Sequence, residues 1–84
     1  MTRSIRKRAV LSEIDWHAVG RRIRELRGFD MTQSEFASRI GVTQGYLSSL
    51  ERGEKEAGAA VLLGISRECG KSVDWLLTGQ TPKH

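Results

Sequence analysis

Apolar residues in the middle of the chain recur at helical spacing on either side of a single glycine. Phe36 and Ile40 are four residues apart, and Leu47 and Leu50 are three apart, so each pair lies on one face of a helix. Gly41 directly follows Ile40, at the position where a helix that ends in the left-handed conformation favours a residue without a side chain. The pattern predicts two short helices joined by a tight turn.

The residues around this turn favour close packing of the two helices. Ala37, beside Phe36, is small enough to let a second helix approach. Val42 can fill the inside of the turn, and Thr43 is a favourable N-cap for the next helix. Two helices joined in this way form a helix-turn-helix motif, whose second helix is suited to enter the major groove of DNA.

A second apolar stripe predicts a longer helix before the motif. This first helix is expected to begin near Ser12 or Asp15 and to end near Arg27, because Gly28 interrupts the helical pattern. The stripe has spacings of three, four and three residues and comprises Trp16, Val19, Ile23 and Leu26.

Capping residues set the bounds of the two motif helices. Thr32 and Glu35 form a capping-box pair, in which each side chain can accept a hydrogen bond from the other residue's backbone N–H. Helix 2 therefore begins at this pair and is predicted to end at Ile40. Helix 3, the recognition helix, is predicted from Gln44 to about Arg52.

Two further helices are predicted after the motif. The start of helix 4 is less regular, because Gly58 and Gly64 each lower helix propensity by about 1 kcal/mol relative to alanine. Gly70 is a plausible C-cap for it, and helix 5 covers about residues 73–77, with Ser72 as its N-cap. The predicted fold class is all-α, a compact five-helix bundle with the helix-turn-helix at helices 2 and 3.

The chain resembles the Cro and lambda-repressor type of DNA-binding domain, also called XRE-like. The resemblance covers roughly residues 16 to 79 and implies the five-helix fold of that family. The connection between helices 1 and 2 is one residue shorter than the usual family version. The matching residues are Ile23, Leu26 and Arg27 before the motif, Thr32, Gln33, Glu35, Phe36, Ala37, Ile40, Gly41, Val42, Thr43, Leu47, Ser48, Leu50, Glu51 and Gly53 within and just after it, and residues 72–79 at the end.

The resemblance assigns DNA contacts to two glutamines at helix starts. In the family, the first residue of helix 2 contacts the DNA backbone, and the matching residue is Gln33. The first residue of the recognition helix reads a base, and the matching residue is Gln44. Glutamine suits this role, because its amide can donate to N7 and accept from N6 of adenine. The alternative is two ordinary solvated glutamines.

Three more candidate base-reading residues lie on the outward side of helix 3. Gly45, Ser48 and Ser49 are on the face opposite Leu47 and Leu50. Serine discriminates bases poorly, and glycine reads none through a side chain. These positions indicate modest direct readout, supplemented by close backbone approach or by DNA shape. The alternative for Gly45 is that glycine is merely tolerated there.

Phosphate contacts are expected at both ends of the recognition helix. Thr43 caps helix 3, and its hydroxyl can also reach the DNA backbone. The Tyr46 hydroxyl can contact a phosphate or simply pack beside helix 2. Arg52 and Lys55 follow the recognition helix, where family members often contact phosphate, and the alternative for both is a solvated loop.

The resemblance also implies one internal ion pair. Arg27 and Glu51 match a family pair that brackets the turn between helices 2 and 3. We interpret both residues as structural first and as DNA-facing second.

Positive charge is concentrated at the start of the chain. The net charge is +4, and Arg3, Arg6, Lys7 and Arg8 supply four positive charges within residues 1–11, which contain no acid. The rest of the chain has ten Lys or Arg against ten Asp or Glu, so DNA affinity must depend on where charge is placed. The basic segment is interpreted either as an arm that contacts phosphates or a minor groove, or as a solubilising terminus.

Three large apolar residues follow one another near the C-terminus. Trp75, Leu76 and Leu77 cannot all be buried by a short helix against one small core. At least one is therefore expected at a two-fold interface, as helix 5 is in related repressors, and Trp75 and Leu76 are favoured. The alternative is that all three close the core of the monomer.

The residues give no indication of catalysis, a metal or a cofactor. The only histidines, His17 and His84, are far apart, and there is no phosphate-binding glycine loop or Ser, His and acid set. The single cysteine, Cys69, is expected to be a small core residue and fits a reducing cytoplasm. No stretch approaches the ~18 apolar residues of a membrane span, and no signal peptide is recognised.

With 84 residues, the chain is predicted to form one small domain. It divides into a basic flexible arm at residues 1–11, a helix-turn-helix domain at residues 12–79 and a disordered tail at residues 80–84. It could be a complete short regulator or the DNA-binding half of a longer one.

The predicted function is sequence-specific regulation of transcription by a bacterial or phage-encoded protein. A homodimer would bind a palindromic operator in double-stranded DNA and usually repress. The alternative is an antitoxin or protein-interaction module, in which the fold masks a protein partner and DNA binding is secondary. The neutral body and the short side chains of Gly45, Ser48 and Ser49 keep that alternative open. No small-molecule ligand or membrane partner is indicated.

Overall fold

The computed structural model describes residues 14–81, so the predicted arm at residues 1–11 and the last three residues of the tail lie outside the described part. Within residues 14–81, all regular structure is helical, which confirms the all-α prediction. The helices are α1 (Trp16–Arg27), α2 (Gln33–Ile40), α3 (Gln44–Glu51), α4 (Ala59–Cys69) and α5 (Val73–Thr78).

Four of these five helices begin at a side-chain cap. In α2, Oγ1 of Thr32 accepts from the N–H of Glu35 at 3.1 Å, and the Glu35 carboxylate accepts from the N–H of Thr32 at 2.8 Å. This is the predicted capping box. Helix α4 has no side-chain cap, because its N-cap residue is Gly58. The caps of α1, α3 and α5 are Asp15, Thr43 and Ser72.

The turn between α2 and α3 has the predicted left-handed glycine. Gly41 has a φ of 82°, a conformation that costs glycine little and other residues much more. The N–H of Val42 then donates to the C=O of Ala37 at 2.9 Å, which satisfies a carbonyl at the end of α2. The chain can therefore start α3 after only three residues, which keeps the two helices close together.

The core is built from all five helices and the loop before α4. Helix α1 packs against α3 and α5, α2 packs against α3 and α4, and α4 packs against α5. Each fully buried aliphatic or aromatic side chain stabilises the fold by roughly 1.5–3 kcal/mol relative to exposure. The buried apolar residues are Val19, Ile23, Phe36, Ala37, Leu47, Leu50, Ala57, Leu62, Ile65 and Leu76.

The structure corrects one of the two favoured interface residues. Leu76 has 0% of its surface exposed and belongs to the core, so it cannot contact a second subunit. Trp75 and Leu77 are half-buried. Consecutive residues of a helix point in different directions, and α5 directs the middle one of the three inward. The predicted core residue Cys69 is also half-buried, and burial, with Glu68 nearby, raises the pKa of its thiol.

Arg22 of α1 holds the C-terminal end of α5. Its Nη1 donates to the C=O of Leu76 at 3.0 Å. Its guanidinium lies so near Gly79 that a Cβ on that glycine would be 2.8 Å from Nη2. A cation at a helix C-terminus also complements the helix dipole. Arg22 therefore has a structural role that the sequence analysis did not predict.

Candidate nucleic-acid interface

The short turn places the N-termini of α2 and α3 side by side and brings two predicted DNA-contact residues together. Nε2 of Gln44 donates to Oε1 of Gln33 at 2.7 Å. Gln44 is exposed, and Gln33 is half-buried. The first intrahelical hydrogen bond of α2 runs from the N–H of Phe36 to the C=O of Thr32. The backbone N–H of Gln33 therefore has no partner within the helix and can serve an anion.

Gln33 is bonded in turn to the ion pair behind it. Its Nε2 donates to Oε1 of Glu51 at 2.9 Å. Glu51 also accepts two hydrogen bonds from Arg27, from Nε at 2.8 Å and from Nη2 at 2.9 Å. Nη1 of Arg27 donates to the C=O of Met31 at 3.0 Å. A continuous chain of hydrogen bonds therefore links Gln44 to the loop that follows α1; we call it the glutamine–arginine network.

The ion pair of this network is largely removed from solvent. The side chains of Arg27 and Glu51 are 15% and 4% exposed. Burial alone would raise the pKa of Glu51, but hydrogen bonds from Arg27 and Gln33 outweigh it, so the pKa lies below its usual value. The hydrogen bond to Glu51 raises the pKa of Arg27. Both groups are therefore charged at neutral pH, and removing one would leave the other buried without its partner.

The glutamine–arginine network leaves part of the Gln44 amide free to contact a base. A glutamine amide has two N–H donors and one carbonyl oxygen. The bond to Gln33 occupies one N–H. The second N–H and the oxygen remain, and glutamine contacts adenine in the major groove through one N–H and its oxygen.

The remaining candidate base readers differ in exposure. Gly45 is exposed, and a Cβ there would meet no atom within 4 Å, so the domain itself does not require glycine. Ser48 and Ser49 are half-buried. Oγ of Ser48 accepts a hydrogen bond from Nη1 of Arg52. Of the four candidate residues, Gln44 and Gly45 present the most accessible surface to a groove.

Arg52, predicted to contact phosphate, is engaged by a neighbouring acid. Its Nε and Nη2 each lie 2.9 Å from a carboxylate oxygen of Glu54. Both side chains are 55% exposed, in contrast to the pair of Arg27 and Glu51. This contact was not predicted from the sequence.

The other predicted phosphate contacts lie at the two ends of α3. Oγ1 of Thr43 accepts from the N–H of Tyr46 at 3.1 Å, which confirms its role as N-cap. Tyr46 is half-buried and packs against the core, whereas Lys55 is exposed. DNA contact by these side chains stays a prediction. The arm residues Arg3, Arg6, Lys7 and Arg8 lie outside the described residues.

Two close backbone contacts hold α3 against α1, and neither was predicted. A Cβ on Gly20 would lie 2.7 Å from the carbonyl oxygen of Glu51 and would overlap that of Leu50. A Cβ on Gly53 would lie 2.7 Å from Cα of His17, and the φ of Gly53 is 76°. The sequence signal that could have revealed the first contact was a glycine in the interior of α1. Such a glycine lowers helix stability by about 1 kcal/mol relative to alanine and often marks a packing requirement.

Metal sites and membrane-spanning helices are two further features to consider in the described residues. Within residues 14–81, no group of three or more His, Cys, Asp or Glu side chains is arranged to hold a metal ion. Among the helices of the same region, none has the length and apolar character needed to cross a membrane.

The comparison with protein families identifies the class of protein. A family model described as helix-turn-helix matches residues 21–76, two thirds of the chain. The chain belongs to this family, the Cro and C1-type or XRE-like helix-turn-helix proteins. Its members are DNA-binding regulators of transcription and not enzymes.

Individual relatives agree with this assignment. The chain is similar to the phage P22 c2 repressor in complex with a synthetic operator, at 33% identity and a TM-score of 0.69, over 74% of this chain and 96% of that one. It is similar to the restriction-modification controller protein C.AhdI of Aeromonas hydrophila, at 25% identity and a TM-score of 0.67, over 74% and 96% of the two chains.

One curated relative is much longer than this chain. It is described as a propionyl-CoA carboxylase regulator of Cereibacter sphaeroides and is 34% identical over 65 residues. The match covers 76% of this chain and 14% of the relative. The likeness is therefore confined to one small part of that protein.

Proposed function

We propose that this protein is a sequence-specific transcriptional regulator that binds a palindromic operator as a homodimer and in most cases represses transcription. Helix α3 enters the major groove, and the N-terminus of α2 contacts the adjacent backbone. In a two-fold dimer, the two recognition helices occupy successive major grooves about 34 Å apart. The P22 c2 repressor, solved in complex with a synthetic operator, supports operator binding as a relative with a similar fold.

The observation that carries the proposal is the orientation of the Gln44 amide. Gln33 holds one N–H of this amide at 2.7 Å, and Glu51 holds Gln33 at 2.9 Å. Because the side chain is already ordered, less rotamer entropy is lost when it binds a base. The free N–H and oxygen then recognise adenine at one position of each half-site.

Substitution of Gln44 tests base reading. Gln44→Ala should weaken binding to the preferred operator by roughly 1–3 kcal/mol and relax the preference at one base pair per half-site. Its melting temperature should barely change, because Gln44 is exposed. The preferred operator is found by selection from a random duplex library, and affinities are measured by fluorescence anisotropy.

Gln80→Ala is the matched control, because Gln80 is an exposed glutamine beyond the end of α5. It should leave affinity unchanged. Equal weakening of Gln44→Ala on operator and on random DNA would contradict base reading. A complete lack of salt-dependent DNA binding by the unaltered protein would favour the protein-interaction alternative.

We also propose that the dimer forms through α5, with Trp75 rather than Leu76 at the interface. Trp75 is half-buried within one subunit, and the Lys71 ammonium lies 5.0 Å from the centre of its ring. Trp75→Glu should give a folded monomer with much weaker operator binding, since each half-site is then bound independently. Sedimentation provides the measurement, and an unaltered protein that stays monomeric on palindromic DNA would contradict the arrangement.

A further inference from the structure

The backbone after α3 folds Glu54 back toward the recognition helix. The N–H of Gly53 donates to the C=O of Leu50, and the N–H of Glu54 donates to the C=O of Ser49, both at 3.0 Å. These two bonds, with the left-handed Gly53, form the Schellman arrangement that closes many helices. The position of Glu54 next to Arg52 is therefore fixed by the helix terminus.

Arg52 directs most of its donors to partners within the protein. Nε and Nη2 face the two carboxylate oxygens of Glu54, each at 2.9 Å, and Nη1 donates to Oγ of Ser48. This paired, fork-like geometry is the one by which arginine also binds a phosphate. A carboxylate thus occupies the Nε and Nη2 edge of Arg52, one of the edges by which a guanidinium can bind a phosphate.

We propose that Glu54 is an internal competitor for the DNA backbone, whose carboxylate must leave Arg52 before a phosphate can bind there. This proposal rests on the proposed function and adds an affinity-setting residue to it. On binding, Arg52 exchanges a carboxylate for a phosphate, and the freed carboxylate then opposes the nearby DNA charge. The loss of the pairing with Glu54 and the repulsion by its carboxylate both lower the affinity for DNA.

The exchange is feasible because the pair is open to solvent. Both side chains are 55% exposed, and exposed ion pairs contribute little to stability. The buried pair of Arg27 and Glu51 has 15% and 4% exposure and is not available for such exchange. The hydrogen bond from Arg52 lowers the pKa of Glu54, so the competing charge is present throughout the neutral range.

Ser48 is affected by the same exchange. Its hydroxyl accepts from Arg52 in the free protein, although Ser48 lies on the face of α3 that is predicted to meet the groove. When Arg52 turns to a phosphate, Oγ of Ser48 loses this donor and is free to contact the DNA. Glu54 therefore influences a candidate base reader that it does not touch.

The test uses Glu54→Gln with Glu56→Gln as the matched control. Both changes remove one negative charge from the same exposed loop, but only Glu54 is paired with Arg52 among the described residues. Glu54→Gln should bind the selected operator duplex about two- to five-fold more tightly at low salt, the range expected for releasing an exposed ion pair. Glu56→Gln should have a smaller effect.

Repeating both changes in an Arg52→Gln background separates competition from general electrostatics. There, Glu54→Gln should gain less affinity than it does in the unaltered background, because only the repulsion between its carboxylate and the DNA is left to remove. An equal gain from Glu54→Gln with and without Arg52 would overturn the proposal, as would the absence of any gain in the unaltered background. Arg52→Gln alone should weaken binding, and unchanged affinity would also overturn it.

A measurement without DNA distinguishes failure of this proposal from failure of the proposed function. Hydrogen exchange of the Arg52 Nε–H, followed by NMR, should be slower in the free unaltered protein than in Glu54→Gln, and Glu56→Gln should not change it. Unchanged exchange in Glu54→Gln would show that Arg52 is not held in solution and would overturn the proposal. Slow exchange together with no DNA binding would instead contradict the proposed function.

Discussion

The two ends of the recognition helix hold their polar side chains in opposite ways. At the N-terminal end, Gln44 is joined through Gln33 to the ion pair of Arg27 and Glu51, whose carboxylate side chain is only 4% exposed. At the C-terminal end, Arg52 is held by an acid with 55% exposure. Both arrangements use arginine–carboxylate pairs with bonds of 2.8–2.9 Å.

Burial, rather than hydrogen-bond length, therefore decides what each pair can do. The buried pair cannot easily be broken, because each separated charge would remain in a poorly solvated site. The exposed pair can open at little cost, because water solvates both charges. Under the proposed function, the N-terminal end of α3 would supply a fixed geometry for base reading, and the C-terminal end an exchangeable contact to the DNA backbone.

The comparison is tested most strongly by removing the buried arginine. Arg27→Ala should lower the free energy of unfolding by about 3 kcal/mol, because Glu51 would be left buried without its partner. Urea denaturation measures the effect. Arg52→Ala, which breaks the exposed pair, should leave the urea midpoint almost unchanged, because water solvates both charges. Similar losses in both variants would show that the two ends do not differ as described.

The next largest effect is expected from the contact between α1 and the end of α3. Gly20→Ala places a Cβ against the carbonyl oxygens of Leu50 and Glu51, so the helices must separate. Overpacking of this kind typically costs about 1–3 kcal/mol. Gly45→Ala is the control, because the same change there meets no atom within 4 Å. A gain in stability from Gly20→Ala would contradict the close approach.

Acid titration should reveal how much the buried Glu51 carboxylate contributes to stability. The pKa of Glu51 is lower in the folded protein than in the unfolded chain, so its contribution to stability is present above the unfolded value of about 4.3 and is lost as the pH falls through the folded value. Glu51→Gln should therefore be less stable than the unaltered protein at pH 7, and the difference should shrink below pH 4. Urea midpoints between pH 7 and pH 3 measure this, and a difference that stays constant would contradict it.

The smallest effect is expected at Gly45. Because a side chain fits there and glycine is a weaker helix former than alanine, Gly45→Ala in the first turn of α3 should raise the free energy of unfolding by less than about 1 kcal/mol. If the backbone approaches DNA closely at this point, the same variant should bind the operator more weakly. Greater stability with unchanged affinity would show that glycine is merely tolerated. Thermal unfolding and anisotropy titration supply the two values.

The sequence was sufficient to predict the helices, because their signals are local. Thr32 with Glu35 caps α2, Gly41 ends it, and Ser72 caps α5, each by contacts within a few residues. Leu76, favoured with Trp75 for an interface, instead lies in the core, since three consecutive apolar residues do not show which one faces inward.

The contacts missed in the candidate site join residues that are far apart or share a loop. Gln33 and Glu51 are eighteen residues apart, and their hydrogen bond depends on how α2 and α3 pack. The pair of Arg52 and Glu54 is local, but it depends on the backbone closure at Gly53, which spacing alone does not reveal. The side-chain partners at a helix terminus can therefore be assigned only when the backbone geometry of that terminus is known.

The contact between Gly20 and the end of α3 affects how the protein and a DNA duplex adapt to each other on binding. Because backbone meets backbone at this point, the C-terminal end of α3 cannot move closer to α1, and it resists tilting there. We expect the domain to dock as a rigid body, so any mismatch in groove width or helical twist must be accommodated by the duplex. Operators with easily deformed pyrimidine–purine steps between the half-sites should then be preferred, even at base pairs that the protein does not touch.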